Sequence, residues 1–131
     1  MQNLADLNEI FIFNVIYWYR DSKFNKDIQL NWGALFALVA PYLLQHPSDS
    51  YVQRHFSEAI QEKHFSEYSL IKIKNEDFET VKVQFSALGL VNIEYSPTTG
   101  GGMGLFWSLT LMGEETMIQV RTVKKAKGTE I

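Results

Sequence analysis

Residues Asn75–Lys125 read NEDFETVKVQFSALGLVNIEYSPTTGGGMGLFWSLTLMGEETMIQVRTVKK. Phe78, Val81, Phe85 and Leu88 recur at i, i+3, i+7 and i+10, which puts them on one face of a helix, and Gly89 follows where a left-handed C-cap belongs. Asn75 or Asp77 is expected to cap this helix, with Glu79, Lys82 and Ser86 on its outside. Strand Leu90–Tyr95, the turn-forming stretch Ser96 to Gly104 and strand Leu105–Leu109 then read as a hairpin with a long flexible tip. Thr110 is placed to cap a last helix whose buried stripe is Met117, Val120 and Val123. Helix, hairpin and helix in this order form the second half of a winged helix.

The upstream sequence supplies the rest of such a domain and something more. Ile10 to Arg20 is dense in β-branched and aromatic residues, the composition of a strand with at least one covered face. The polar stretch Asp21 to Asp27 predicts a turn, and Ile28 to Leu30 a short returning strand. A two-stranded hairpin is marginal alone and must pack on something. Asn31 is a good N-cap for a helix from Trp32, with Leu35, Phe36, Leu38 and Val39 apolar; Pro41 either ends that helix near Ala40 or kinks it through Leu44. A second helix follows Pro47, with Ser50 and Gln53 spaced as a capping box and Val52, Phe56, Ala59 and Ile60 on one stripe. Ser69–Lys74 alternates as a half-buried strand does. Phe78, Val81, Phe85 and Leu88 are expected to share a core with Leu35, Leu38, Phe56 and Ile60. The chain thus reads as a single α+β domain over residues 1–131. It comprises an extra N-terminal β-hairpin (9–30), a winged-helix-like core (31–125) with a Gly-rich wing, and a frayed tail (128–131).

At 131 residues one such domain can bury a self-sufficient core, and the absence of cysteine removes disulfides, thiolate chemistry and Cys-containing zinc sites. The longest apolar run, Ile10 to Tyr19, is far below the roughly 20 residues of a membrane-spanning helix. Asp6 and Glu9 stand where a secretory signal needs basic residues. A soluble, cytoplasmic protein is expected.

Charge argues against the usual task of a winged helix. The segment Glu76 to Thr116 carries six acids (Glu76, Asp77, Glu79, Glu94, Glu114, Glu115) against one base, Lys82, a net of minus five. Residues 1–120 hold eight bases against fourteen acids, a net of minus six that repels a phosphate backbone. Arg121, Lys124, Lys125 and Lys127 are the exception, and they are the candidates for a weak nucleic-acid contact.

Motifs of catalysis are sparse. Gly100 to Gly104 join two strands, whereas a phosphate-cradling loop leads into a helix N-terminus, and no Lys-Ser or Lys-Thr follows. His46, His55 and His64 include no i, i+4 pair for a helical metal site. The adjacent Glu114 and Glu115 splay apart on a helix and suit its N-terminal dipole rather than a proton-sharing dyad. Neither a cofactor nor a metal nor an enzymatic activity is expected. Phe106 and Trp107, with Tyr95 opposite, suit cross-strand aromatic packing, and Trp107 has the core-facing spacing.

DFETVKVQFSALGL (Asp77 to Leu90) and FWSLTLMGEETM (Phe106 to Met117), together with NWGALFALVAPYLL (Asn31 to Leu44), resemble the C-terminal region of an uncharacterised bacterial domain-of-unknown-function family. Full-length members of that family carry an N-terminal α/β domain similar to TIR and nucleoside deoxyribosyltransferase domains. The resemblance implies a winged-helix-like module that serves sensing or assembly around an effector, in a defence-type setting. It supplies no catalytic residue for this chain.

The expected function is therefore a non-enzymatic protein-interaction or regulatory module, with a winged-helix DNA-binding transcriptional regulator as the alternative. A protein partner or self-association is expected at the hairpin, through Phe11, Ile12, Ile16 and Trp18, since a marginal hairpin seldom finds internal partners for both faces.

Overall fold

The computed structural model describes residues 6–64 and 71–121. Val123, Lys124, Lys125, Lys127, the tail and the start of the strand expected from Ser69 lie outside them.

The N-terminal hairpin pairs β1 (Ile10–Tyr19) with β2 (Ser22–Asn31) in full antiparallel register, Ile10 facing Asn31 and Tyr19 facing Ser22. The turn is thus only Arg20–Asp21, with Arg20 at φ 50°. The expected turn over Asp21 to Asp27 is corrected, because only Asp21 of that stretch is turn and Ser22 to Asp27 are the first half of β2. Polarity there marks an edge strand, exposed over Ser22 to Asp27 and buried only at Ile28. On the other side β1 pairs with β3 (Ile71–Ile73), Val15 facing Ile73 and Tyr17 facing Ile71, which makes a three-stranded sheet in the order β2-β1-β3.

Asn31 caps α1 (Trp32–Leu43), its Oδ1 accepting from the Ala34 N–H at 2.7 Å. The helix runs through Pro41 to Leu43, since Ala40 and Leu43 on either side of the proline are wholly buried and hold the last turn in place. In α2 (Asp49–His64) the cap is Ser48, whose carbonyl accepts from Val52 N–H; Ser50 lies in the first turn. Gln53, expected to reach back to a cap, donates instead to Asn75 Oδ1 at 2.7 Å. Ser57 ties α2 to the sheet, donating to the Gln53 carbonyl and accepting from Ile73 N–H at 3.1 Å.

Lys74 precedes α3 (Asn75–Ala87) without a side-chain cap. Asp77, one of the two expected caps, is used elsewhere: its carboxylate accepts the Asn14 N–H of β1 at 2.7 Å, while the Asn14 carbonyl accepts Lys74 N–H. The C-terminus is as expected, with Gly89 at φ 75° and the Leu90 N–H reaching the Phe85 carbonyl. Strands β4 (Val91–Pro97) and β5 (Met103–Leu109) follow as a hairpin, Ile93 facing Trp107 and Ser96 facing Gly104. Gly104 is therefore strand. Thr98 closes the tip, donating to the Gly101 carbonyl at 2.5 Å and accepting Gly101 N–H at its own carbonyl. Ser48 bridges to Phe106 on the free side of β5.

Thr110 caps α4 (Leu111–Arg121), accepting from Gly113 N–H at 2.8 Å and donating to the Gly89 carbonyl at 2.5 Å. Met117 and Val120 pack half-buried against the core. That core runs from the inner face of the sheet, Phe13, Val15, Ile71 and Ile73, through Leu35, Phe36, Phe56 and Ile60 to Phe78, Val81, Phe85 and Trp107. Leu38 and Leu88 join it at its margin. The architecture is α+β, four helices with two small antiparallel sheets among the described residues.

Candidate functional site

Two surfaces follow from the sequence. The first is α3 with the β4–β5 hairpin. Along α3 the exposed side chains are Asn75, Glu76, Glu79, Thr80, Val83, Ser86 and Ala87. Lys82, the single base of the segment, is only 13% exposed, and its ammonium meets Asp49 at 3.0 Å and Glu79 at 2.9 Å. Asp49 in turn accepts the Trp107 indole N–H at 2.8 Å. This network joins α2, α3 and β5, and sequence spacing offered no signal for its links to Asp49, which lies 33 residues from Lys82 and 58 from Trp107. Trp107 is buried as expected, but it stacks on Phe78 with ring centres 5.7 Å apart rather than on a cross-strand aromatic. Tyr95 faces Leu105 and Phe106 faces Glu94, so no two of these aromatics stand directly opposite one another across the strands.

Burial pushes the Lys82 pKa down, yet the hydrogen bonds its ammonium donates to Glu79 and Asp49, with their negative charge, outweigh it and leave it raised. A raised cation contributes stability that is fully present below its ordinary value of about 10.4 and fades as pH climbs through the higher folded value. Lys82→Met is expected to cost about 1–2 kcal/mol at pH 7, since it strands the half-buried Asp49 carboxylate with one donor. Urea melts of both proteins at pH 7 and pH 11 check this. The gap should narrow at the higher pH, and an unchanged midpoint at pH 7 would make the network incidental.

Beside this network the N-terminus of α2 and the β4–β5 hairpin enclose an open cleft of about 780 Å³, lined by His46, Pro47, Tyr51, Thr98 and Phe106 among others. His46, one of the residues lining it, is exposed and at φ 54°. His55 is elsewhere, stacked on Tyr42 at 4.1 Å.

The second surface is the outer face of the β2-β1-β3 sheet. The hairpin residues singled out by sequence do not share it. Phe11 points inward and stacks on Trp32 with ring centres 4.5 Å apart, packed against the core. Ile12, Ile16 and Trp18 alternate on the opposite face with Ile10. Ile10 is 57% and Ile12 55% exposed, while Ile16 and Trp18 are half-buried. Arg121 ends α4 exposed, beside a cleft that it shares with His55, Glu58, Glu62 and Lys63. No helix among the described residues is long and apolar enough to cross a membrane.

No family model matches the chain, and no curated protein does. Among solved structures it is similar to a Streptococcus transcriptional regulator, 15% identical, over 67% of this chain and 78% of that one, with a TM-score of 0.49.

Proposed function

We propose that the chain is a non-enzymatic protein-interaction or regulatory module built on a winged-helix-like core. The succession α1, the Ser48 bridge, α2, α3 and the β4–β5 hairpin supports that core, with Ser48 in the place of its first strand. The observation that carries the functional reading is the state of Lys82. In a winged helix that reads DNA, the helix before the wing offers cations or amides to phosphates and base edges. Here that helix exposes Glu76, Glu79 and Val83, and its one lysine is spent on two carboxylates. The outer sheet face, by contrast, keeps large aliphatic side chains in solvent and has the character of a docking surface. The family resemblance would place such a module in a bacterial, cytoplasmic, defence-type protein, attached to an effector domain.

The alternative, a DNA-binding regulator, is tested by fluorescence anisotropy on random and genomic duplexes at low and physiological salt. The expected binding is weak and sequence-independent, carried by Arg121, Lys124, Lys125 and Lys127. Four phosphate contacts give a log–log salt slope no steeper than about minus four. Sub-micromolar, sequence-selective binding that survives removal of those four charges would replace the interaction module by the regulator.

A further inference from the structure

We propose that the free edge of β5 takes up a short extended peptide of a partner protein, which adds to the β4–β5 hairpin as an antiparallel third strand. This edge deepens the interaction-module reading and rests on it. Thr110 N–H bonds to the Leu90 carbonyl and Thr98 N–H to that of Gly102, so every second pair between them is hydrogen-bonded, Glu94 with Phe106 and Ser96 with Gly104 included. Met103, Leu105 and Trp107 therefore direct their N–H and C=O groups away from β4.

The chain already seats one extended segment of its own on this edge. Trp107 N–H meets the Pro47 carbonyl at 3.0 Å, and Ser48 forms an antiparallel bridge with Phe106. At Asp49 that segment coils into α2. Beyond it, the Leu105 N–H and both backbone groups of Met103 have no hydrogen-bond partner among the described residues. Leu105 and Met103 stand two residues apart, about 6.8 Å, which is the repeat of an extended backbone. A helix has spent its own amides and cannot answer them. A strand that continues the path of Pro47 and Ser48 supplies two acceptors and a donor in the line they need.

The cleft of about 780 Å³ lies at this place, with Ser50 and Tyr51 of α2 on one side and Thr98, Leu105 and Phe106 of the hairpin on the other. Gly104 leaves part of the hairpin side bare, where a Cβ would come within 3.2 Å of Thr98 Cγ2 and 3.7 Å of Phe106 Cε1. The peptide residue opposite Gly104 projects its side chain from the same face. Asp49 and His46 are the titratable residues lining the cleft, and Asp49 is already held by Lys82 and Trp107. Arg54, stacked over Tyr51 at 4.6 Å, and Glu94, opposite Phe106, flank the site with opposite charges. No sign of charge is favoured, so the residue opposite Gly104 is uncharged and apolar.

The probe is the pentapeptide Thr-Thr-Leu-Thr-Thr, acetylated and amidated, titrated into the full chain labelled with nitrogen-15. Amide shifts should gather at Met103, Gly104 and Leu105, with a dissociation constant of about 0.1–1 mM, as three hydrogen bonds and a small contact allow. With the leucine opposite Gly104, the N–H of the fourth residue meets the Met103 carbonyl, and N-methylation there should remove the shifts. N-methylation of the leucine, whose N–H points away from β5, should leave them. Met103→Pro deletes an N–H that the β4–β5 ladder does not use, and should also remove them with an unchanged far-UV spectrum. No shifts, shifts elsewhere on the chain, or equal binding by the two N-methylated peptides overturns the peptide edge. Amide exchange without peptide reads the rival occupants: Leu105 and Met103 protected at about 10 μM mark a segment of this chain, and protection only near about 500 μM marks a second copy. Either result overturns it too, and all of these leave the interaction module standing. Sequence-selective DNA binding removes that broader reading instead.

Discussion

Phe85→Ala is expected to lower the unfolding free energy by about 3–5 kcal/mol, the cost of deleting a fully buried aromatic side chain and leaving a cavity. Phe85 is completely buried and meets Phe36 edge-on at 5.3 Å and Trp32 edge-on at 6.1 Å, so this ring joins α3 to α1. Its carbonyl also receives the Leu90 N–H that turns the chain into β4. Losing the ring therefore loosens the α1–α3 contact and the exit of α3 together. A domain of this size has about 5–15 kcal/mol in total, so the variant should be partly unfolded near its thermal midpoint at temperatures where the wild type is intact. Equilibrium urea denaturation followed by tryptophan fluorescence measures it. A loss below about 1 kcal/mol would mean that the ring is not a core member at all.

Gly113→Ala should be about as damaging, although it adds a single methyl group. A Cβ at Gly113 would stand 2.0 Å from the Leu90 carbonyl oxygen and 3.0 Å from its carbon, with the Leu109 side chain at 3.2 Å. The first two are backbone atoms, and they are held from both sides: Leu90 N–H is bonded to Phe85 and the Leu90 carbonyl accepts the Thr110 N–H. Neither the start of β4 nor the first turn of α4 can yield without breaking these bonds. In an ordinary exposed helix the same change would be stabilising, since alanine favours helix over glycine by roughly 1 kcal/mol. Here overpacking against backbone is expected to cost about 3 kcal/mol and to undock α4. Faster amide exchange over Leu111–Arg121, with α1 and α2 still protected, would identify that undocking. A variant as stable as the wild type would mean that α4 does not sit on Leu90 as described.

The Leu109-Thr110-x-x-Gly113 step thus acquires a physical meaning. Thr110 caps α4 and holds the Gly89 carbonyl, and Gly113 lets the helix approach the Leu90 backbone. From sequence the threonine was legible as a cap, because capping is local. The glycine was not, because the atom it must avoid lies 23 residues upstream on another element.

The same division runs through the molecule. Periodicity by itself determined the helix faces of Phe78, Val81 and Phe85, the inward alternation of Ile71 and Ile73, the left-handed stop at Gly89 and the acidity of the α3 surface. Each depends on residues within a turn or two of one another. Only the tertiary structure decided that Ser22 to Asp27 is strand, since an edge strand needs a paired neighbour and no apolar pattern of its own. It also decided that Asp77 holds β1 rather than capping α3, that Phe11 turns inward to Trp32, and that Lys82 is bound to Asp49 and Glu79. A polar or aromatic group takes whichever partner the fold brings within reach, and apart from the neighbouring Glu79 these partners stand between 21 and 63 residues away along the chain.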